Sequence, residues 1–209
     1  MASRLIPLFP LHVVVFPRTR LMLHIFEERY KEMIGNAIRD GSEFGIVLAK
    51  DEGIVSAGCT VAVEKVVQMY PDGRMDILAA GRRRFEISNL NEEKEWLEGE
   101  VSFFDDDDFA PAPADLREQA VARYRELNQL ASSREHLSAD LQDPQLSFQL
   151  AQAVPDLDFL SALLRERSES GRLKALNTFL SQYIPRQRTI ERMKTLGPRN
   201  GAGPTPAGL

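Results

Sequence analysis

The sequence predicts an α+β protein in which strands fill the first half of the chain and helices the second. Short runs rich in valine and isoleucine recur through the first hundred residues, as pleated packing favours. Beyond residue 113 the apolar residues recur with a period close to 3.6, which indicates helices. Four consecutive aspartates, residues 105–108, and a proline-containing segment, residues 109–113, separate the two regions. We therefore predict a β-rich subdomain over residues 1–109, a helical bundle over 110–196 and a disordered tail over 197–209.

Seven strands are predicted in the first region from their apolar and β-branched composition, over residues 5–9, 13–16, 21–25, 44–49, 60–69, 75–87 and 97–104. The sequence Tyr70-Pro71-Asp72-Gly73 lies between the two longest strands and is a strong hairpin signal. Proline presets φ, aspartate bonds its own backbone and glycine accepts a positive φ. One helix interrupts the strands over residues 27–39, where the apolar side chains have helical spacing and Gly41 provides a stop.

Four helices are predicted in the second region. Asp115 with Glu118 resembles a capping box that opens a helix to about residue 130. Asp143, followed by Pro144, is predicted to cap the next helix, and Asp156 the one after it. The last helix is predicted over residues 169–194. Pro185 is expected to kink or break it, because proline removes a backbone donor and clashes with the preceding turn.

Size and composition are those of a soluble globular protein. The chain has 209 residues, enough for one large domain or two small ones, with 43% hydrophobic and 27% charged residues. No apolar run approaches the roughly 20 residues that span a bilayer. The N-terminus lacks the apolar core of a signal peptide, and Cys59 is the only cysteine, which excludes an internal disulfide. A cytoplasmic location is therefore expected.

The net charge of −5 is unevenly spread. Residues 1–109 carry 13 basic and 20 acidic side chains, a net charge of −7, whereas residues 110–209 carry 13 basic and 11 acidic ones, a net charge of +2. Because phosphate binding needs local positive charge, this balance argues against nucleic acid as a partner.

The polar residues contain no recognised catalytic or metal-binding motif. His12, His24 and His136 are the only histidines and lack the spacing of a zinc site, so we expect no metal. No G-x-S-x-G elbow is present, and we expect no catalytic residues. The three arginines at 82–84 have two possible roles. They either bind a carboxylate or phosphate, or they lie at alternating strand positions that face water, with their charge balanced by Glu64 or Glu86. The aspartates at 105–108 either bind a divalent cation or form a solvated linker.

Several segments, in their order along the chain, resemble the Lon N-terminal domain family, the substrate-recognition part of the Lon proteases. The proline-punctuated opening PLFPLHVVVFP leads into residues 21–30, as in that family. Residues 44–49 and 58–62 resemble its next strands, and PDGR with the following ILAAGRRRF resembles its hairpin. Segments between residues 150 and 180 resemble its helical part. The resemblance covers about residues 5–184.

The resemblance implies a PUA-like pseudo-barrel β domain with one helix, followed by an α-helical bundle. No glycine is followed by lysine, so a P-loop for ATP is missing, and no Ser–Lys protease domain follows. We therefore expect a stand-alone, non-catalytic module without cofactors that binds unfolded or extended polypeptide segments or a dedicated protein partner. A link to quality control or proteolysis is implied in the same way. The alternative is RNA or nucleotide binding through the PUA-like barrel. The oligomeric state stays open.

Five residues of the opening segment are the candidate peptide-binding residues: His12, Phe16, His24, Phe26 and Tyr30. The aromatic side chains are apolar anchors, which belong either to the core or to an exposed groove. The two histidines recur at parallel places in the two opening runs and would add polar groups to such a groove; otherwise they are packing or surface residues. Such a groove either adds a peptide strand to a sheet edge or holds side chains in pockets. The junction of the two subdomains is a second candidate location.

Overall fold

A computed structural model describes residues 4–108, 110–130 and 139–196, and in these it has six strands and five helices. The first region contains β1 (Arg4–Leu11), β2 (Arg20–Ile25), α1 (Glu28–Asp40), β3 (Phe44–Lys50), β4 (Gly53–Met69), β5 (Met75–Asn91) and β6 (Glu98–Phe104). The second contains α2 (Ala114–Leu130), α3 (Leu146–Ala151), α4 (Leu157–Arg165) and α5 (Glu169–Leu196). The α+β class predicted from the sequence is confirmed. The predicted tail, residues 197–209, lies outside the described residues.

The six strands form one mixed sheet in the order β2-β5-β4-β3-β1-β6. Only the β1–β3 pairing is parallel, and a further pairing of β5 with β6 joins the last strand of this order back to the second. The long strands β4 and β5 allow this closure, because three irregularities in their register let the pair bend. Since β2 extends the sheet beyond the closed part, the result is a pseudo-barrel rather than a clean barrel.

Helix α1 covers the apolar interior of the pseudo-barrel. Its buried residues, Tyr30, Met33, Ile34 and Ala37, pack with inward-facing side chains of the sheet. The helix ends as predicted at Gly41, which has a φ of 61° and donates its N–H to the carbonyl of Ala37. The predicted hairpin is also present, with Gly73 at a φ of 82° and its N–H bonded to the Tyr70 carbonyl.

The segment 13–16 is not a strand, and this prediction is wrong. It crosses from the sheet to the helices, where Phe16 is 1% exposed and its ring stacks on Phe148 at 5.1 Å. Phe16 thereby joins the apolar core formed by α2 to α5. A side chain buried between two layers does more for stability than one more edge strand, so packing overrides the β-branched composition.

The helix starts were predicted with mixed success. Asp156 caps α4 as expected, since its side chain accepts a hydrogen bond from the Phe159 N–H. Asp143 does not cap α3. Its carboxylate accepts the Gln145 N–H and thereby fixes a turn before the helix. Asp115 lies within the first turn of α2.

Helix α5 continues through Pro185 to Leu196, so the expected break is absent. Pro185 is exposed. The carbonyl group that loses its helical partner therefore lies near water, which can satisfy it. None of the helices in the described residues has the length and apolarity needed to cross a membrane.

Buried charges tie the segment between β6 and α2 to both the sheet and the helices. Arg84 of β5 is 2% exposed and bonds Asp106 at 2.6 Å, and Arg172 of α5 bonds the same carboxylate. Two predictions are corrected here. Arg84 does not alternate toward water, and Glu64 pairs with Arg20 instead. The aspartate run is not a plain solvated linker, because arginines bind one of its members inside the protein.

Candidate functional site

A cleft of about 440 Å³ opens where the ends of β1 and β2 meet the start of α1. We call it the β1–β2 cleft. It is lined by Phe9, Pro10, Leu11, His24, Ile25, Phe26, Glu27, Arg29, Tyr30 and Leu97. Most of these side chains are apolar, and three of the five predicted binding residues are among them. The volume falls within the range of about 300–1,000 Å³ that is usual for ligand pockets.

Two packed rings form the inner wall of the cleft. Phe9 and Tyr30 are both buried, with ring centroids 4.3 Å apart. The guanidinium of Arg29 lies 4.6 Å from the centre of the Tyr30 ring and also binds Glu27 at 2.9 Å. Burial raises the pKa of Tyr30, so the phenol stays neutral at physiological pH. This wall is therefore buried and apolar, with one ion pair, Arg29 with Glu27, at its edge.

Phe26 stands at the rim of the cleft and is 59% exposed. Its ring stacks with that of His24 at 5.9 Å. His24 is held in turn by Asp76, whose Oδ1 lies 2.6 Å from Nδ1, while the Tyr70 hydroxyl donates to Oδ2 of the same carboxylate at 2.8 Å. These hydrogen bonds, the one with His24 first, hold the pKa of Asp76 below its usual range. The rim thus consists of the exposed Phe26 ring, stacked on His24, and His24 is held by its hydrogen bond with Asp76.

Strand β2 has a free edge beside this rim. Among the described residues it pairs only with β5, from Arg20 opposite Ala80 to Ile25 opposite Met75. Its outward-facing Met22 is 58% exposed. An unpaired edge presents backbone N–H and carbonyl groups that can accept another strand. The cleft and the edge together offer apolar contacts and backbone hydrogen bonds to one extended ligand.

The other two predicted residues lie elsewhere. His12 is exposed in a separate groove of about 660 Å³ between the end of β3 and the start of α4, with Nδ1 3.4 Å from the Ala49 carbonyl oxygen. Phe16 belongs to the helical core. The structure therefore brings together His24, Phe26 and Tyr30, and it separates His12 and Phe16 from them. His136 lies outside the described residues.

The sequence did not predict the contacts of His24 with Asp76 and of Asp76 with Tyr70, which hold the rim of the cleft in place. The predicted hairpin has Tyr70 as the first residue of its turn sequence and Asp76 near the start of the following strand, so their approach was foreseeable. Their contact with His24 was not, because β2 is distant in sequence and pairs with β5 only in the folded sheet. No group of three or more potential metal ligands lies within the ranges that the structure covers.

A family model for the substrate-binding domain of the ATP-dependent protease La (Lon) matches residues 5–182. Among curated proteins, a Lon protease from Parabacteroides distasonis is 28% identical over 110 residues. That alignment covers 48% of this chain but 13% of the relative, so the chain spans a small part of the curated protein that it matches.

Two solved structures have a similar fold. The crystal structure of a Lon N-terminal domain protein from Xanthomonas campestris has a TM-score of 0.67 and 27% identity, covering 83% of this chain and 96% of the other. The N-terminal domain of a Lon protease of the Mycobacterium avium complex has a TM-score of 0.60 and 15% identity, covering 85% and 98%. The second supports the fold alone. The match over residues 5–182 shows that this chain belongs to the Lon substrate-binding domain family.

Proposed function

We propose that this protein is a non-catalytic module that binds extended, apolar polypeptide segments in the β1–β2 cleft. The observation that carries the proposal is Phe26, 59% exposed beside an apolar cleft and fixed by His24. A large apolar side chain that is exposed to water and held in place by its neighbours is typical of a binding site, and less typical of surface that stays in contact with water. The family description, a substrate-binding domain, supports the same proposal.

The expected mode of binding is strand addition. The peptide would pair with the free edge of β2 through its backbone, and one of its apolar side chains would enter the cleft against Phe9 and Tyr30. Backbone pairing tolerates many sequences, whereas the cleft selects for an apolar anchor. Such a module would bind many unfolded segments with modest affinity. We place this activity in the cytoplasm and link it to protein quality control or proteolysis.

Fluorescence anisotropy with a library of labelled ten-residue peptides tests the proposal. Peptides with alternating apolar residues should bind, and Phe26→Ala should weaken binding by about tenfold or more, the effect of removing an aromatic anchor from a binding site. Ile190→Ala is the matched control, because Ile190 is a partly exposed apolar residue on α5, away from the cleft. Equal affinity of the two variants would refute this site.

A second experiment tests strand addition. Methylation of alternate backbone nitrogens in a binding peptide removes donors from one edge only. One methylation pattern should abolish binding, while the other should leave it largely unchanged.

An RNA oligomer serves as the control for the alternative function. Tight RNA binding that falls steeply with salt would favour RNA or nucleotide binding instead.

A further inference from the structure

A second, larger cleft of about 740 Å³ lies at the junction of the sheet and the helices. We call it the junction cleft. It is lined by Arg18, Thr19, Arg20, Glu43, Glu64, Ala80, Gly81, Arg82, Arg83, Asp140, Asp143, Gln149 and Gln152. Its character differs from that of the β1–β2 cleft, because its walls are charged and part of its lining is made of small residues, Ala80 and Gly81. A site of this kind suits a polar ligand rather than an apolar segment.

A β-bulge in β5 lets two consecutive residues, Arg82 and Arg83, line the same cleft. Cys59 pairs with Arg84 and Val61 with Gly81, so β5 has one more residue than β4 in this interval. Successive residues of a regular strand point to opposite faces, but here Arg82 and Arg83 are both exposed and both line the cleft.

The bulge is fixed by a buried hydroxyl. Thr60 is 1% exposed, and its Oγ1 accepts the Arg83 N–H at 3.1 Å and donates to the Arg83 carbonyl at 3.4 Å. The arginine pair is thus held by a satisfied polar group inside the protein. Bulges are frequent beside functional sites because they redirect side chains in this way.

The part of the cleft wall beside Gly81 has an unusual backbone conformation. Arg18 has a φ of 63°, the only positive value among the described non-glycine residues. Its N–H bonds the Gly81 carbonyl at 2.9 Å, its carbonyl accepts a hydrogen bond from Gln149, and its guanidinium binds Asp143 at 2.9 Å. A left-handed conformation of this kind is strained for a residue other than glycine and tends to be kept where function requires it.

The charges of the cleft are not all paired within the protein. Arg18 binds Asp143 and Arg20 binds Glu64. Arg82 and Arg83 reach no carboxylate among the described residues. The guanidinium of Arg83 lies 4.0 Å from the centre of the Phe103 ring, which orients the group and leaves its N–H groups available.

We propose that the junction cleft binds a small molecule bearing a carboxylate or phosphate group, with Arg82 and Arg83 as the residues that hold its oxygens. Arginine is suited to this role because its planar donors match both anions. Four acidic side chains, Glu43, Glu64, Asp140 and Asp143, balance the four arginines of the cleft, so the cleft has no net positive charge to hold a polyanion. The ligand therefore carries a single anionic group together with hydrogen-bond donors, as an amino acid or a small phosphate ester does.

Two-dimensional ¹⁵N–¹H NMR titrations of the full chain with inorganic phosphate, L-glutamine and a tetrapeptide test this site. At least one probe should shift the amide signals of Thr19, Gly81 and Arg82 in a saturable way, with a Kd of about 1 mM or lower. The tetrapeptide is used with a free and with an amidated C-terminus, so that a peptide end and a free small molecule are distinguished as sources of the anion.

The double variant Arg82→Gln/Arg83→Gln should weaken this binding by about tenfold or more, since it removes both of the charged donors that would hold the anion. Arg125→Gln/Arg186→Gln is the matched control, which removes the same charge from exposed arginines of α2 and α5. The control should bind like the unmodified protein. Equal weakening in both variants, or no saturable shift with any probe, would overturn the proposal.

Discussion

Arg172 grips Asp106 through two hydrogen bonds, from Nη1 to Oδ1 at 2.6 Å and from Nη2 to Oδ2 at 2.7 Å. Arg84 donates to the same carboxylate from the sheet, and Glu169 and Ser147 bind Arg172 from the helical side. One aspartate of the connector therefore links β5 to α5. Because both guanidinium groups are almost fully buried, the arrangement depends on the presence of the carboxylate.

Replacement of Asp106 by alanine should destabilise the fold strongly. It would leave the charges of Arg84 and Arg172 buried with less compensation, an effect of about 3–5 kcal/mol. Asp107→Ala is the control, since the Asp107 side chain is 69% exposed and pairs with an exposed Arg167. That change should alter the free energy of unfolding by no more than about 1 kcal/mol. Urea unfolding of both variants measures the difference, and similar losses would contradict the role given to Asp106.

The stability should fall as the pH drops below about 4. Burial opposes ionisation of Asp106, but hydrogen bonds from Arg172 and the charges of both arginines hold its pKa below the usual range. Its contribution is therefore complete above the unfolded pKa of about 3.9 and is lost as the pH falls toward the folded value. Urea unfolding between pH 3 and 7 should show a shallower acid slope for Asp106→Asn than for the unmodified protein. Parallel slopes would exclude Asp106 as the cause.

Glu169 should behave in the opposite way. Burial raises its pKa, so the contribution of this group is complete below the unfolded pKa of about 4.3 and is lost as the pH rises through the folded value. Glu169→Gln should therefore lose less stability at pH 7 than Asp106→Asn, because burial already disfavours the ionised glutamate. The same unfolding series measures both variants, and a larger loss for Glu169→Gln would contradict this assignment.

Gly81→Ala should destabilise the protein by about 3 kcal/mol, the upper range for overpacking. An added Cβ would lie 2.0 Å from the carbonyl oxygen of Phe16, which is backbone and cannot rotate away. Gly35→Ala is the control, because nothing lies within 4 Å of its added Cβ and alanine favours the helix by about 1 kcal/mol. Thermal unfolding should show a lower Tm for the first variant and an equal or higher Tm for the second. A tolerated Gly81→Ala would refute the close approach.

Phe16→Ala and Phe26→Ala should have different effects on stability, because Phe16 lies in the core and Phe26 on the surface. Phe16 is buried against Phe148, so its truncation should cost about 3–5 kcal/mol. Phe26 is 59% exposed, and its loss should change stability by about 1 kcal/mol or less while weakening peptide binding. Chemical unfolding with a binding assay on each folded variant provides the comparison. A large stability loss for Phe26→Ala would show that this ring packs rather than binds.

The sequence was a good guide wherever the signal is local. The hairpin at Tyr70–Gly73, the end of α1 at Gly41 and the cap at Asp156 each depend on a few adjacent residues, and each is present in the structure. Helix and strand periods also reveal which side chains face a core, and so the α+β class followed from them. Three of the five candidate residues, His24, Phe26 and Tyr30, lie close together because they are neighbours in sequence.

Contacts between residues that are distant in sequence determined which of the predicted residues are buried and which are exposed. Phe16 and Phe26 are alike in sequence terms, yet one fills the helical core and the other stands at a cleft, because helices that lie more than 100 residues further along the chain bury the first. Asp106 is one of four identical neighbours, and only the approach of two distant arginines distinguishes it. Local composition thus determined most of the elements and the class of fold, whereas the tertiary contacts determined which aromatic and charged groups are buried and which remain exposed.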